Sequence, residues 1–103
     1  MSSIPTPAAV VRSLTTVGEH VSAWRRLNQL TAAEVADRAG VGESTVLRLE
    51  RGQGATLENV LRVARALGVM DVLVTSLDPF ESDVGRLRAE QALPQRVRRR
   101  GAR

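Results

Sequence analysis

The stretch "AGVGESTVLRLERG", Ala39 to Gly52, decides how this chain folds. One helical pattern ends at Gly40, where a left-handed backbone is cheap. A second opens almost at once, at Gly42 or Glu43, with Val46 and Leu49 on its apolar side. It opens on an acid, Glu43, in a chain of formal charge +4. Gly52-Gln53-Gly54 then closes it. Two short helices joined by a tight, glycine-containing turn leave the outer face of the second one clear of any core they share.

Working outward, each flank supplies further helices. Upstream, Leu30-Thr31 starts the helix that Gly40 ends. Thr31 serves as N-cap, and Glu34 completes a Thr-x-x-Glu capping box. Val35, Ala36 and Ala39 face inward there. Farther upstream, Leu14, Val17, Val21, Trp24 and Leu27 recur at three- and four-residue steps. They predict a first helix from Val17 to Asn28, with Trp24 in the core. Downstream, Thr56 caps a fourth helix with Leu57, Val60, Leu61, Ala64 and Leu67 on its inner face, ended by Gly68. A fifth is expected from Asp71 to Leu77, stopped by Asp78-Pro79. A short helix from Ser82 to Ala92 follows, then Pro94 and an Arg-rich end.

The expected fold is therefore all-α. A five-helix domain occupies residues 14–78, a flexible lead-in residues 1–13, and a basic, partly disordered tail residues 79–103. A chain of 103 residues holds one such domain with tails. Its aromatics are one Trp and one Phe, so Leu, Val and Ala must build the core. Strand-rich folds draw on more aromatic and β-branched segments.

The pI near 11.4 overstates the positive charge, because the chain has no Lys, Tyr or Cys and little titrates between neutrality and the Arg range. Position matters more. Residues 1–83 hold eight Arg against ten acids, and residues 84–103 hold seven Arg against one acid. The surplus belongs to the tail.

Several function classes lack material. The chain has no Cys and one His, His20, which leaves nothing for a clustered metal site or a Ser/His triad. Gly52-Gln53-Gly54 terminates a helix and lacks the strand that a nucleotide-binding loop needs. No enzyme and no cofactor is expected. No apolar run approaches the roughly 20 residues that span a bilayer. The N-terminus does not read as a signal peptide, and the absence of Cys fits a reducing compartment. The expected location is the cytoplasm, with no membrane partner.

The run "LTAAEVADRAGVGESTVLRLERG", Leu30 to Gly52, resembles the helix-turn-helix of phage Cro and cI repressors and of the large XRE-type regulator family. The Ala36, Gly40, Val46, Leu49 spacing carries the likeness, and "ATLENVLRVARALGV" is similar to that family's fourth helix. The resemblance covers residues 14–78. It implies a repressor-type domain that binds double-stranded DNA as a homodimer, with the third helix in the major groove. The implied base contacts are Glu43, Ser44, Thr45, Leu47 and Arg48. The implied phosphate contacts are Thr31, Arg51, Thr56 and Asn59. Two positions depart from the family pattern. Ala32 stands where many relatives have Gln, and Gly42 where the third helix often starts at Ser.

Individual residues keep more than one reading. Glu43 either favours the helix dipole or accepts from a cytosine amino group. Arg48 either lies on a solvated face or forks onto guanine O6 and N7. Arg25 and Arg26 are solvated, paired or phosphate-bound. Val72, Leu73, Val74 and Leu77 suggest a dimer seam on the fifth helix. The tail is similar to the ends of small antitoxins paired with HipA-type kinase toxins, which implies a toxin partner. Its Arg96, Arg98, Arg99 and Arg100 would otherwise touch DNA, or have no dedicated partner.

Overall fold

The computed structural model describes residues 4–92. Among them lie six α-helices, one 3-10 turn and no strand, as the all-helical expectation requires. They are α1 (Ala8–Leu27), α2 (Ala32–Ala39), α3 (Glu43–Glu50), α4 (Leu57–Leu67), α5 (Met70–Ser76), the 3-10 turn (Pro79–Glu81) and α6 (Asp83–Ala92). No helix among the described residues is long and apolar enough to cross a membrane. The chain divides into two compact units, one ending at Met70 and the other starting at Asp71.

In the first unit, α1 packs on α3, and α2 packs on both α3 and α4. Ala32, Val35, Ala36, Ala39, Val46, Leu49, Val63 and Leu67 form the buried cluster. Small residues on α2 let its neighbours come close, while Val46 and Leu49 pin α3. Full burial of one Val or Leu contributes about 1.5–3 kcal/mol.

The local signals act as read. The Thr31 hydroxyl accepts from Glu34 N at 3.1 Å, and Thr31 N donates to Glu34 Oε1 at 2.8 Å, so the capping box is complete. The Thr31 backbone N–H first, and its hydroxyl second, hold the Glu34 carboxyl below the usual carboxylate range. Gly40 and Gly68 end α2 and α4 in the left-handed region, at φ 72° and 80°.

Three expectations are corrected. α1 begins at Ala8, not Val17, and so takes in part of the expected lead-in. The Pro7 carbonyl accepts from Val10 N and Val11 N and starts the helix. Residues 8–13 are all exposed, so they carry no buried periodicity to read. Trp24 is 45% exposed rather than in the core, and Val17 and Leu27 are exposed as well. The α1 residue that is buried is Gly18. A Cβ there would meet the Leu49 carbonyl oxygen and stand 2.6 Å from that of Glu50. The backbones of α1 and α3 touch at this glycine, which turns the helix so that Trp24 lies on its shoulder. On α4 the inner face is also rotated: Leu57 is 71% exposed, and Val63, not anticipated, is buried.

The second unit has no buried residue among those described. Short-range bonds order it. Asp78 Oδ1 accepts from Phe80 N at 2.9 Å, and Ser82 Oγ accepts from Gly85 N at 2.9 Å. Arg86 donates to the Phe80 carbonyl at 2.7 Å and pairs with Asp83. Gly85 sits against the Pro79 carbonyl, where any Cβ would collide.

Candidate nucleic-acid interface

α3 has an inner and an outer face, and its inner face is fixed at several points. Val46 is fully buried and Leu49 is 2% exposed. Glu50, at the last turn, is held by Arg25 of α1. Arg25 Nε donates to Glu50 Oε2 at 2.7 Å and Nη2 to Oε1 at 3.0 Å. Arg25 Nη1 also donates to the Leu30 carbonyl at 3.1 Å. One guanidinium thus ties α1, the turn before α2 and the end of α3. The hydrogen bond to Glu50 raises the Arg25 pKa, more than burial lowers it. Of the solvated, paired and phosphate-bound readings of Arg25, the structure shows the paired one. Gly52, at φ 80°, presses on Thr15 of α1, where a Cβ would stand 2.9 Å from the Thr15 Cα. α3 is seated from below and from its C-terminal end.

The outer face is left open. Glu43, Ser44, Arg48 and Arg51 are exposed and Thr45 is half-buried. Leu47 is half-buried and packs against the core, so of the five expected base contacts it is the one turned toward the protein. Gly42 stands before α3 and offers no side-chain cap, while Glu43 supplies an acid to the first turn. That placement suits the dipole reading of Glu43.

Beside this face runs a groove of about 420 Å³ lined by Thr45, Arg48, Gln53, Gly54, Ala55, Thr56 and Asn59. It brings together four of the residues singled out in the sequence, Thr45 and Arg48 from α3 with Thr56 and Asn59 from the start of α4. Its lining holds one cation and no carboxylate. Thr56 caps α4 by accepting from Asn59 N at 3.1 Å. The hydroxyl of Thr56 therefore spends a lone pair on the helix and keeps an O–H to donate outward. Thr31 and Arg51 are exposed outside the groove lining. Ala32 is buried in the core cluster at 8% exposure, so the family's Gln position here serves packing. Gln53, Gly54 and Ala55 were missed. The only sequence signal for them is the pair of glycines flanking Gln53.

Arg96, Arg98, Arg99 and Arg100 lie outside the described residues. In the second unit, Val72, Val74 and Leu77 of the expected seam are 70%, 56% and 82% exposed, while Leu73 is half-buried. Among the described residues no group of His, Cys, Asp or Glu is placed to hold a metal ion.

The helix-turn-helix family model matches residues 21–69, just under half of the chain. The match runs from the middle of α1 through the turn after α4 and contains the whole groove. No match was found among the curated proteins or the solved structures.

Proposed function

We propose, from the helix-turn-helix at residues 21–69, that this chain is a sequence-specific DNA-binding transcriptional regulator that represses its own gene as a homodimer. One observation carries the reading: α3 is anchored along its inner face while Ser44, Arg48 and Arg51 stand exposed without a partner among the described residues. A helix so held fits the major groove, about 12 Å wide. Arg48 is the base reader, by a two-pronged contact to guanine. Thr31, Thr56, Asn59 and Arg51 contact phosphates on either side. Ser44, Thr45 and Glu43 complete the reading face.

Charge supports a dimer. Phosphate neutralisation supplies much of the affinity for DNA, and residues 1–83 have more acids than Arg. Two copies double the contacts and place two α3 helices on half-sites about 34 Å apart. The exposed Val72, Val74 and Leu77 favour α5 as the seam.

A second reading has its own observation. Val84 and Leu87, three residues apart on α6, are 60% and 56% exposed, and Phe80 in the 3-10 turn before it is 51% exposed. Exposed apolar side chains on residues 79–92 favour a protein partner, and a kinase-type toxin is the partner that the tail's likeness suggests. The chain would then be the antitoxin of a toxin–antitoxin pair.

Fluorescence anisotropy of the full chain against the DNA upstream of its own gene, beside a scrambled duplex and across a salt series, tests the leading reading. Selective binding that Ser44→Ala with Arg48→Ala abolishes, with helicity unchanged, is the expected result. Equal binding to both duplexes would move the weight to the partner-binding reading. Co-purification of the neighbouring gene product, with and without residues 79–103, would then decide it.

A further inference from the structure

α1, α2, α3 and α4 end by one device. At each end a left-handed residue stops the helix, and the next residue donates its N–H to the carbonyl five positions back. The stopping residues are Gln29, Gly40, Gly52 and Gly68, all at positive φ. The bonds are Leu30 N to Arg25 O, Val41 N to Ala36 O, Gln53 N to Arg48 O and Val69 N to Ala64 O, at 2.9 to 3.1 Å. The side chain that follows such a stop commonly makes an apolar contact back toward its helix. Leu30, Val41 and Val69 do so and pack against the core cluster. Gln53 does not. It is exposed, it makes no side-chain hydrogen bond among the described residues, and it lines the groove beside Arg48.

The break in the pattern falls on the helix that carries the reading face. Its C-terminal end is also backed by α1. Gly52 is pressed on Thr15, and a Cβ at Gly54 would stand 3.8 Å from Leu14 Cδ2, so α1 backs the turn on both sides of Gln53. A polar side chain held in a fixed turn, where an apolar one would stabilise the fold, marks a function. The residue bonded to its backbone is Arg48. An Arg offers only donors, and a carboxamide offers an acceptor and two donors. Arg48 needs an acceptor to fix the plane of its fork once the fork meets a base.

We propose that Gln53 is the positioning residue for Arg48 on DNA. Its carbonyl oxygen accepts from the Arg48 guanidinium when Arg48 reads a guanine, and the two side chains act as one reading unit. The inference rests on the DNA-binding reading above and names how that site obtains its specificity.

The test starts with full-length protein and a random-sequence duplex library, which yields the preferred site. Anisotropy titrations then compare wild type, Arg48→Ala, Gln53→Ala, Gln53→Leu and the Arg48→Ala/Gln53→Ala double variant. Each is measured on that site and on versions with one base pair changed. Gln53→Ala should weaken binding about ten-fold. It should lose discrimination at the same base pair as Arg48→Ala, and the double variant should bind no worse than Arg48→Ala alone. Gln53→Leu restores the apolar stop. It should melt above wild type yet lose the same discrimination, an outcome a merely structural role would not give. Unchanged discrimination in both Gln53 variants, or losses that multiply in the double variant, would overturn the proposal. A wild-type protein that selects no sequence at all would sink the DNA reading itself, and Gln53's role with it.

Discussion

Residues 8–70 and residues 71–92 are both helical, and they are helical for different reasons. In the first region α1, α2, α3 and α4 share a buried cluster, and the contacts that matter join residues far apart in sequence, such as Arg25 with Glu50 and Gly18 with Leu49. In the second region no described residue is buried, and every side-chain hydrogen bond joins residues at most six apart. Short helices are marginal in water without packing. The first region carries its own packing. The second has ordered backbone caps, and its apolar side chains Phe80, Val84 and Leu87 are exposed. A region of the first kind melts as a unit; one of the second kind responds to its capping residues alone.

The largest expected effect breaks the first region. Gly18→Ala puts a Cβ into the Leu49 and Glu50 carbonyls, where backbone must shift. It should lower stability by roughly 3 kcal/mol, as strong overpacking does. Thermal melting by circular dichroism would read it, and an unchanged Tm would mean that α1 does not lie on α3 as described. Next is Arg25→Ala. It leaves the Glu50 carboxylate, 10% exposed, without its partner, and should cost about 2 kcal/mol in urea unfolding. Glu50→Gln keeps one acceptor and should cost less.

A smaller loss, about 1 kcal/mol, is expected from Thr31→Ala, which removes the cap of α2. The same box gives a pH signature. The folded-state pKa of Glu34 is depressed, so its stabilisation is present above the unfolded pKa and is lost as pH falls through the folded one. Stability should therefore drop on acidification below the ordinary Glu range, and Glu34→Gln should flatten that part of the profile. The smallest effect on the first region sharpens the comparison from the other side. Asp78→Ala removes the acceptor for Phe80 N. It should reduce helical ellipticity from residues 79–92 while leaving the unfolding free energy of residues 8–70 within about 0.5 kcal/mol of wild type, as for changes away from a core. A cooperative loss across both regions would show that they unfold as one.

Much of the site was legible before any coordinates. Thr31, Glu34, Gly40, Thr56 and Gly68 bound their helices through bonds to residues at most five positions away, so spacing alone reveals them. Ala36, Gly40, Val46 and Leu49 place the turn and leave Ser44 and Arg48 outside. Leu47 was not legible in this way. It sits between the two faces of α3, and only packing shows which one takes it.

The boundaries of α2, α3 and α4, the turn and the outer face of α3 were thus determined by the sequence itself, because each rests on short-range chemistry. The inner face of α1 was decided only in three dimensions. Leu14, Val17, Val21, Trp24 and Leu27 make an apolar stripe, yet the contact with α3 is made through Gly18, whose lack of a side chain leaves no mark in any hydrophobic pattern. The same holds for Arg25, whose partner lies 25 residues away. It holds as well for Gln53, which becomes a neighbour of the α4 groove residues only after α1 has fixed the turn beneath it.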